Sequence, residues 1–174
     1  MAQEYFEITF RLVAALLVGI GVWGALAQQT FEVIPLKHAT LDQVLPALRP
    51  LVSGRLIVVF GAGGDRDRGK RPLMGAVAAA GADIAIVTSD NPRTEQPEAI
   101  IDDIVSGMKG ARYERITDRR EAIRYALEIA APDDVILLAG KGHETYQVLG
   151  HEKVSFDEQE VVREHLATLN GSAA

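Results

Sequence analysis

The chain has 174 residues and a formal net charge of −6, which suits one medium domain with an appendage; a globule of this size buries roughly 70% of its unfolded surface. There is no cysteine, which excludes disulfides, thiolate metal sites and cysteine nucleophiles. Charge of both signs is dispersed along the chain, and the one basic cluster, Arg66 to Arg71, is broken by Asp67 and preceded by Asp65, so the concentrated basic face that nucleic acids need is absent.

Leu12 to Ala27 is an uninterrupted apolar and glycine stretch after Arg11, and it is membrane-seeking. It is shorter than the ~20 residues that span a bilayer core, and Ala25-Leu26-Ala27 before Gln28 fits a small-x-small cleavage site. Glu4 and Glu7 spoil the positive start that an export signal wants, while Lys37, Arg49 and Arg55 beyond the stretch favour keeping its C-terminal side in the cytoplasm. A cleaved signal, an uncleaved anchor with membrane contact through residues 12–27, and an incidental buried helix all remain open.

From residue 31 strands and helices alternate. Phe31 to Leu36 fits a short strand, and Leu41, Val44, Leu45 and Leu48 fall at helical spacing before Pro50, with Pro46 weakening the middle of the helix. Leu56 to Phe60 is an apolar run of the kind buried on both faces of a sheet. A helix follows from about Arg71 with Pro72 in its first turn, then Ile84 to Val87 as a strand, Pro97 to Met108 as a helix and Tyr113 to Ile116 as a short strand. Asp118 caps the next helix, whose apolar face is Ala122, Ile123, Ala126, Leu127 and Ala130 and which ends at Pro132. Val135 to Ala139 reads as another buried strand. Tyr146 to Leu149 and Lys153 to Phe156 form an edge hairpin around Gly150-His151, and a helix runs from Asp157 to about Leu169. The expected fold is therefore α/β and Rossmann-like: a mainly parallel sheet flanked by helices, with a C-terminal edge hairpin and an N-terminal hydrophobic helix. The domain plan is a leader at 1–30, a junction segment at 31–50, the α/β domain at 51–170 and a tail at 171–174.

Three polar turns follow three apolar strands, and in such sheets ligands bind at the strand ends. Gly64-Asp-Arg-Asp-Arg-Gly69-Lys70 has the outline of a phosphate loop, but Arg71 stands where the motif needs a magnesium-binding hydroxyl, and Asp65 and Asp67 would repel a triphosphate. As a ligand turn, it offers Arg66, whose planar fork suits a carboxylate; more plainly, it is a solvated glycine-rich turn. Asp90-Asn91-Pro92-Arg93 is either a turn with a helix lead-in or an amino-acid site. In the second reading Asp90 accepts an ammonium, Arg93 grips a carboxylate, Asn91 serves either and Pro92 fixes the loop. Gly140-Lys141-Gly142-His143-Glu144 is either a sharp turn into an edge strand or a second half-site, with Gly140 admitting a ligand close to the backbone and Glu144 accepting a second ammonium. His38, His151 and His165 are isolated, and no histidine and carboxylate spacing suggests a metal site.

Gly63-Gly-Asp-Arg-Asp-Arg-Gly-Lys-Arg-Pro-Leu-Met74, Thr88-Ser-Asp-Asn-Pro-Arg93 and Ala139-Gly-Lys-Gly-His-Glu-Thr-Tyr146, in this order and spacing, resemble the C-terminal domain of the Mur ligases, over about residues 45–168. The resemblance is to the members that add meso-diaminopimelate to a peptidoglycan precursor. It implies an amino-acid site of Arg66, Asp90, Asn91, Pro92, Arg93, Gly140 and Glu144, with Arg93 specifying the diamino-diacid over lysine, and a cytoplasmic location. It also implies an ATP- and magnesium-dependent reaction in the complete enzyme, in which an acyl phosphate forms and the incoming amine displaces phosphate. The central and N-terminal domains that carry the nucleotide and the UDP-sugar have no room in this chain, so they are implied partners, and the chain alone is expected not to catalyse ligation. Pro35-Leu-Lys-His-Ala-Thr40 departs from the family's nucleotide-proximal Asp-Tyr-Ala-His-Thr-Pro motif, and no cofactor is assigned to this domain.

Phe31 to Pro50, which opens Phe-Glu-Val-Ile-Pro-Leu-Lys-His-Ala, resembles instead the start of a periplasmic domain of bacterial secretins, so that residues 1–50 resemble a secretin's leader and first periplasmic segment. Two other functions therefore stand beside the first: an exported structural module of a secretion assembly that carries a ligase-like body, and a stand-alone nucleotide-binding domain.

Overall fold

The computed structural model describes residues 40–141 and 144–171, all within one unit, residues 31–174. The hydrophobic N-terminal helix, the strand expected at 31–36, His38 and the tail beyond residue 171 lie outside the described residues, as do Gly142 and His143.

The chain begins with α1 (Leu41–Leu48), closed by a 3-10 turn at Arg49–Leu51. There follow β1 (Leu56–Phe60), α2 (Lys70–Gly81), β2 (Ile84–Val87), α3 (Pro97–Val105), β3 (Tyr113–Arg115), α4 (Arg119–Ile129), β4 (Val135–Ala139), β5 (Tyr146–Leu149), β6 (Glu152–Ser155) and α5 (Glu158–Gly171). Strands β1 to β4 form a parallel sheet in the order β3-β2-β1-β4, and β5 pairs antiparallel with β6 in a separate two-stranded sheet. The Rossmann-like α/β architecture and the C-terminal hairpin are thus as the sequence indicates.

Every residue of β1 is buried because the strand is central and both its faces are covered. Leu56, Val58 and Phe60 enter one core with Leu41 and Leu45 of α1, Ala78 of α2 and Ile100, Ile101 and Ile104 of α3. Ile57 and Val59 enter the other with Ala122, Ile123, Ala126 and Leu127 of α4 and Val161 and Val162 of α5. This is the period-2 alternation of a strand sorting its side chains between two helical layers. Pro46 sits inside α1 without ending it. Since Leu41 and Leu45 are core residues, segment 41–50, read from sequence as a junction, packs into the domain.

Some local readings shift for identifiable reasons. Helix α3 stops at Val105, short of Met108, where Gly107 lies so close to Pro72 that a Cβ would meet its carbonyl oxygen at 1.9 Å. Met108 is still buried from the loop. Helix α4 is capped as expected, with the Asp118 side chain accepting from the Glu121 N–H, but it ends at Ile129, and the Ala131 N–H then donates to Asp134. Strand β4 is less buried than its apolar run suggests, with Leu137 its one fully buried residue, because it is the sheet edge and has a neighbour on one side only.

The strand order places a topological switch between β1 and β4. From β1 the chain moves outward through β2 to β3, then returns by α4 to the far side of β1. In open parallel sheets a crevice opens at the carboxyl ends of the two strands flanking such a switch.

Candidate functional site

The loops after β1, β2 and β4 converge on that crevice. Gly140, directly after β4, has φ +119°, a conformation for which glycine is suited. A Cβ there would lie 3.6 Å from both the Gly61 carbonyl oxygen and Asp90 Oδ2, so the ends of all three strands meet around it.

The β1 and β2 loops are bolted together. Gly64 N–H donates to the Asn91 carbonyl at 2.8 Å, and Arg93 Nη1 donates to the Gly64 carbonyl at 2.7 Å. Asp65 (φ 53°) and Arg93 (φ 51°) both adopt the left-handed region, which is uncommon for residues with a Cβ and costs on the order of 1–3 kcal/mol each. Each is held from several sides. Asp65 accepts from Thr94 Oγ1 at 2.7 Å and donates its N–H to Glu95 Oε1 at 2.6 Å. The Arg93 N–H donates to the Val148 carbonyl at 3.0 Å, and its carbonyl accepts from Gly150 N–H at 2.8 Å, pinning the β2 loop to the hairpin.

Beneath these turns lies Arg71, 1% exposed. Its Nη1 reaches Glu95 Oε2 and Asp103 Oδ2, both at 2.9 Å, and its Nη2 reaches Glu95 Oε1 at 2.7 Å and the Gly63 carbonyl at 3.2 Å. The Arg71 hydrogen bond, followed by that from the Asp65 N–H, holds the Glu95 carboxyl down at about 2. Reciprocally, the Arg71 guanidinium's own value is raised by the Glu95 hydrogen bond against the cost of burial.

The sequence-predicted residues fall into two groups. Arg93 is half-buried and Arg66 exposed, and a Cβ at Gly63 would meet Arg93 Nη1 at 2.8 Å and Arg66 Cγ at 3.5 Å, so both arginines flank one glycine. Arg66 has no hydrogen-bond or ion-pair partner among the described residues. In the second group Asn91 Nδ2 donates to Glu144 Oε2 at 2.8 Å, and Asp90 and Pro92 are buried. Asp90 faces Lys141 Nζ at 3.2 Å.

Three buried cations escaped sequence reasoning: Arg71, Lys141 and Arg119, the last bonded to Glu158 and to the Ala139 carbonyl. Arg71 reads as a defect in a phosphate loop and is instead a clamp. Lys141 lies between two glycines, with nothing local to mark it as buried; the available clue was two predicted site carboxylates, Asp90 and Glu144, in need of a counter-charge. Burial pushes the Lys141 ammonium below the ordinary lysine value, opposed by Asp90.

A nucleotide and its magnesium do not fit the turn before α2. Asp67 Oδ1 already accepts from the Gly69 N–H at 3.0 Å, and the hydroxyl position is filled by Arg71, committed to two carboxylates. Among the described residues no group of histidine and acidic side chains could hold a metal ion. Nor is any described helix long and apolar enough to cross a membrane; residues 12–27 lie outside the described set.

A parallel sheet with a polar crevice at its switch point defines a Rossmann-like α/β domain of the ligand-binding kind. Residues 38–142 match the family described as Mur ligase, glutamate ligase domain, and the chain belongs to that family. It is 54% identical over 129 residues to UDP-N-acetylmuramoyl-L-alanyl-D-glutamate--2,6-diaminopimelate ligase 1 of Clostridium acetobutylicum, covering 74% of this chain and 27% of the relative. It is 59% identical over 129 residues to the ligase of the same name from Caldanaerobacter subterraneus subsp. tengcongensis, covering 73% of this chain and 27% of the relative. A solved structure of UDP-N-acetylmuramoyl-L-alanyl-D-glutamate--2,6-diaminopimelate ligase superposes with a TM-score of 0.71 at 48% identity, covering 75% of this chain and 27% of that one. The chain thus spans about a quarter of the length of these relatives.

Proposed function

We propose that this chain acts as the C-terminal amino-acid-binding domain of an ATP-dependent peptidoglycan-precursor ligase and positions meso-diaminopimelate for amide-bond formation. The observation that carries the reading is that groups of both charges gather on the loops at the strand ends: Arg66 and Arg93 flank Gly63, and Asn91 of the β2 loop holds Glu144. A ligand with carboxylates and ammonium groups at both ends matches that layout. In this reading Arg66 and Arg93 take a carboxylate, Glu144 takes the ammonium end while Asn91 holds Glu144 in place, and Asp90, Pro92 and Gly140 shape the floor.

The domain's contribution is orientation of the nucleophilic amine rather than proton transfer. ATP and magnesium belong to the complete enzyme, through the portions of the relatives that this chain does not match. The family alignment of residues 38–142 supports a cytoplasmic setting and offers no support for the secretin resemblance, which falls chiefly on residues outside the described set.

The test is titration of Arg93→Ala with meso-diaminopimelate. A charge-assisted bond is worth ~1.5–3 kcal/mol, so affinity should fall about ten- to a hundred-fold. Unchanged affinity in a folded variant overturns the assignment.

A further inference from the structure

Lys141 is the one lysine whose ammonium is wholly enclosed among the described residues: it is 2% exposed. Its Nζ donates to Asn91 Oδ1 at 2.6 Å and to the Tyr146 carbonyl at 2.7 Å, and it faces Asp90 Oδ1 at 3.2 Å and Glu144 Oε2 at 3.9 Å. A buried ammonium needs such a set of acceptors to offset its desolvation.

The consequence runs through Asn91. Its Oδ1 accepts from Lys141 Nζ and from the Val148 N–H at 2.9 Å, which leaves Nδ2 as the group that faces Glu144 and donates to Oε2. With the lysine in place the amide has one orientation, since a flip would set NH2 against NH3+. Glu144 is in turn held by one oxygen, and its other oxygen has no hydrogen-bond partner among the described residues. We infer that Lys141 is a positioning residue of the amino-acid site: its buried ammonium fixes the Asn91 amide, which aims Glu144, and it is the internal counter-ion that removes Asp90 from direct ligand contact. This rests on the proposed amino-acid site for its functional meaning. The Lys141–Asn91–Glu144 relay itself is tested independently of any ligand.

The experiment uses the full chain and Lys141→Met, which keeps the length of the side chain without its charge. Amide hydrogen exchange of the Asn91 side chain and of Val148 N–H is followed by NMR, and meso-diaminopimelate affinity by calorimetry. In Lys141→Met both amides should exchange about ten-fold faster or more, and affinity should fall about ten-fold or more, as for loss of one charge-assisted contact. In a Glu144→Gln background the same substitution should add little further loss of affinity, because both act on one contact. Asp90→Asn/Lys141→Met leaves no buried charge unpaired, and it serves if the single variant does not fold; it should show the same exchange and affinity changes.

Unchanged exchange at Asn91 and Val148 overturns the relay. A full additional loss in the Glu144→Gln background also overturns it, because Lys141 would then support the fold and not Glu144. If exchange responds as expected but the parent chain binds no meso-diaminopimelate, the relay stands and the amino-acid reading of the site falls.

Discussion

Arg71 and Glu95 meet fork to fork, Nη1 to Oε2 at 2.9 Å and Nη2 to Oε1 at 2.7 Å, with the guanidinium enclosed and the carboxylate partly open to solvent. Glu95 also accepts the N–H of Asp65, so one carboxylate joins the first turn of α2 to both ligand-facing loops. Arg71→Met leaves Glu95 and Asp103 without their shared partner. Because both carboxylates keep some access to water, the expected loss is about 2–4 kcal/mol, toward the lower end for a broken buried pair. Arg71→Lys should recover little of it, since a lysine cannot form the bidentate pair. Urea unfolding of the three proteins measures both.

The close packing of the two loops is itself testable at Gly64. A Cβ there would come within 1.8 Å of the Pro92 carbonyl oxygen, a backbone atom that cannot swing aside. Gly64→Ala should cost about 1–3 kcal/mol as an overpacked contact, and should weaken amino-acid binding by separating Arg66 from Arg93. Unfolding and titration of the same variant read the two effects.

Acid should loosen the same loops through Glu95, and the opposite end of the sheet through Asp134, which bonds Arg55. Glu95 is held at about 2 by the hydrogen bonds from Arg71 and then Asp65. Burial raises Asp134, but the Arg55 hydrogen bond, with those from the Ala131 and Arg55 amides, outweighs it and holds Asp134 at about 2 as well. A carboxylate depressed on folding stabilises the native state above its unfolded value, and the contribution is lost as pH falls toward the folded one. The Tm should therefore drop between about pH 4.5 and pH 2, and Glu95→Gln should flatten part of that drop. Thermal melts across the range decide it.

Magnesium-ATP should show no saturable binding to the turn at residues 64–71, because Asp67 occupies the Gly69 N–H and Arg71 is committed to Glu95 and Asp103. Calorimetric saturation that is abolished by Lys70→Ala would contradict this.

Much of the fold is legible in local pattern. The unbroken apolar run of β1 announces a central strand, and Asp118 announces the start of α4, because a side-chain cap needs only its own turn. The loops at the strand ends are legible for the same reason: turn residues follow apolar runs. What stays hidden depends on distant segments. The edge position of β4 follows from strand order, which its own five residues do not encode. The burial of Arg71 depends on Glu95 and Asp103, and that of Lys141 on Asn91, each brought near only by the completed sheet. The left-handed backbone at Arg93 is imposed by the hairpin pairing at Val148 and Gly150, with no glycine to announce it.

The most direct measurement is calorimetric titration of the chain with meso-diaminopimelate and, in parallel, with L-lysine, which lacks the second carboxylate. Two arginines flanking Gly63 predict saturable binding of meso-diaminopimelate and at least about ten-fold weaker binding of lysine. Equal binding of the two, or none by demonstrably folded protein, would contradict the account.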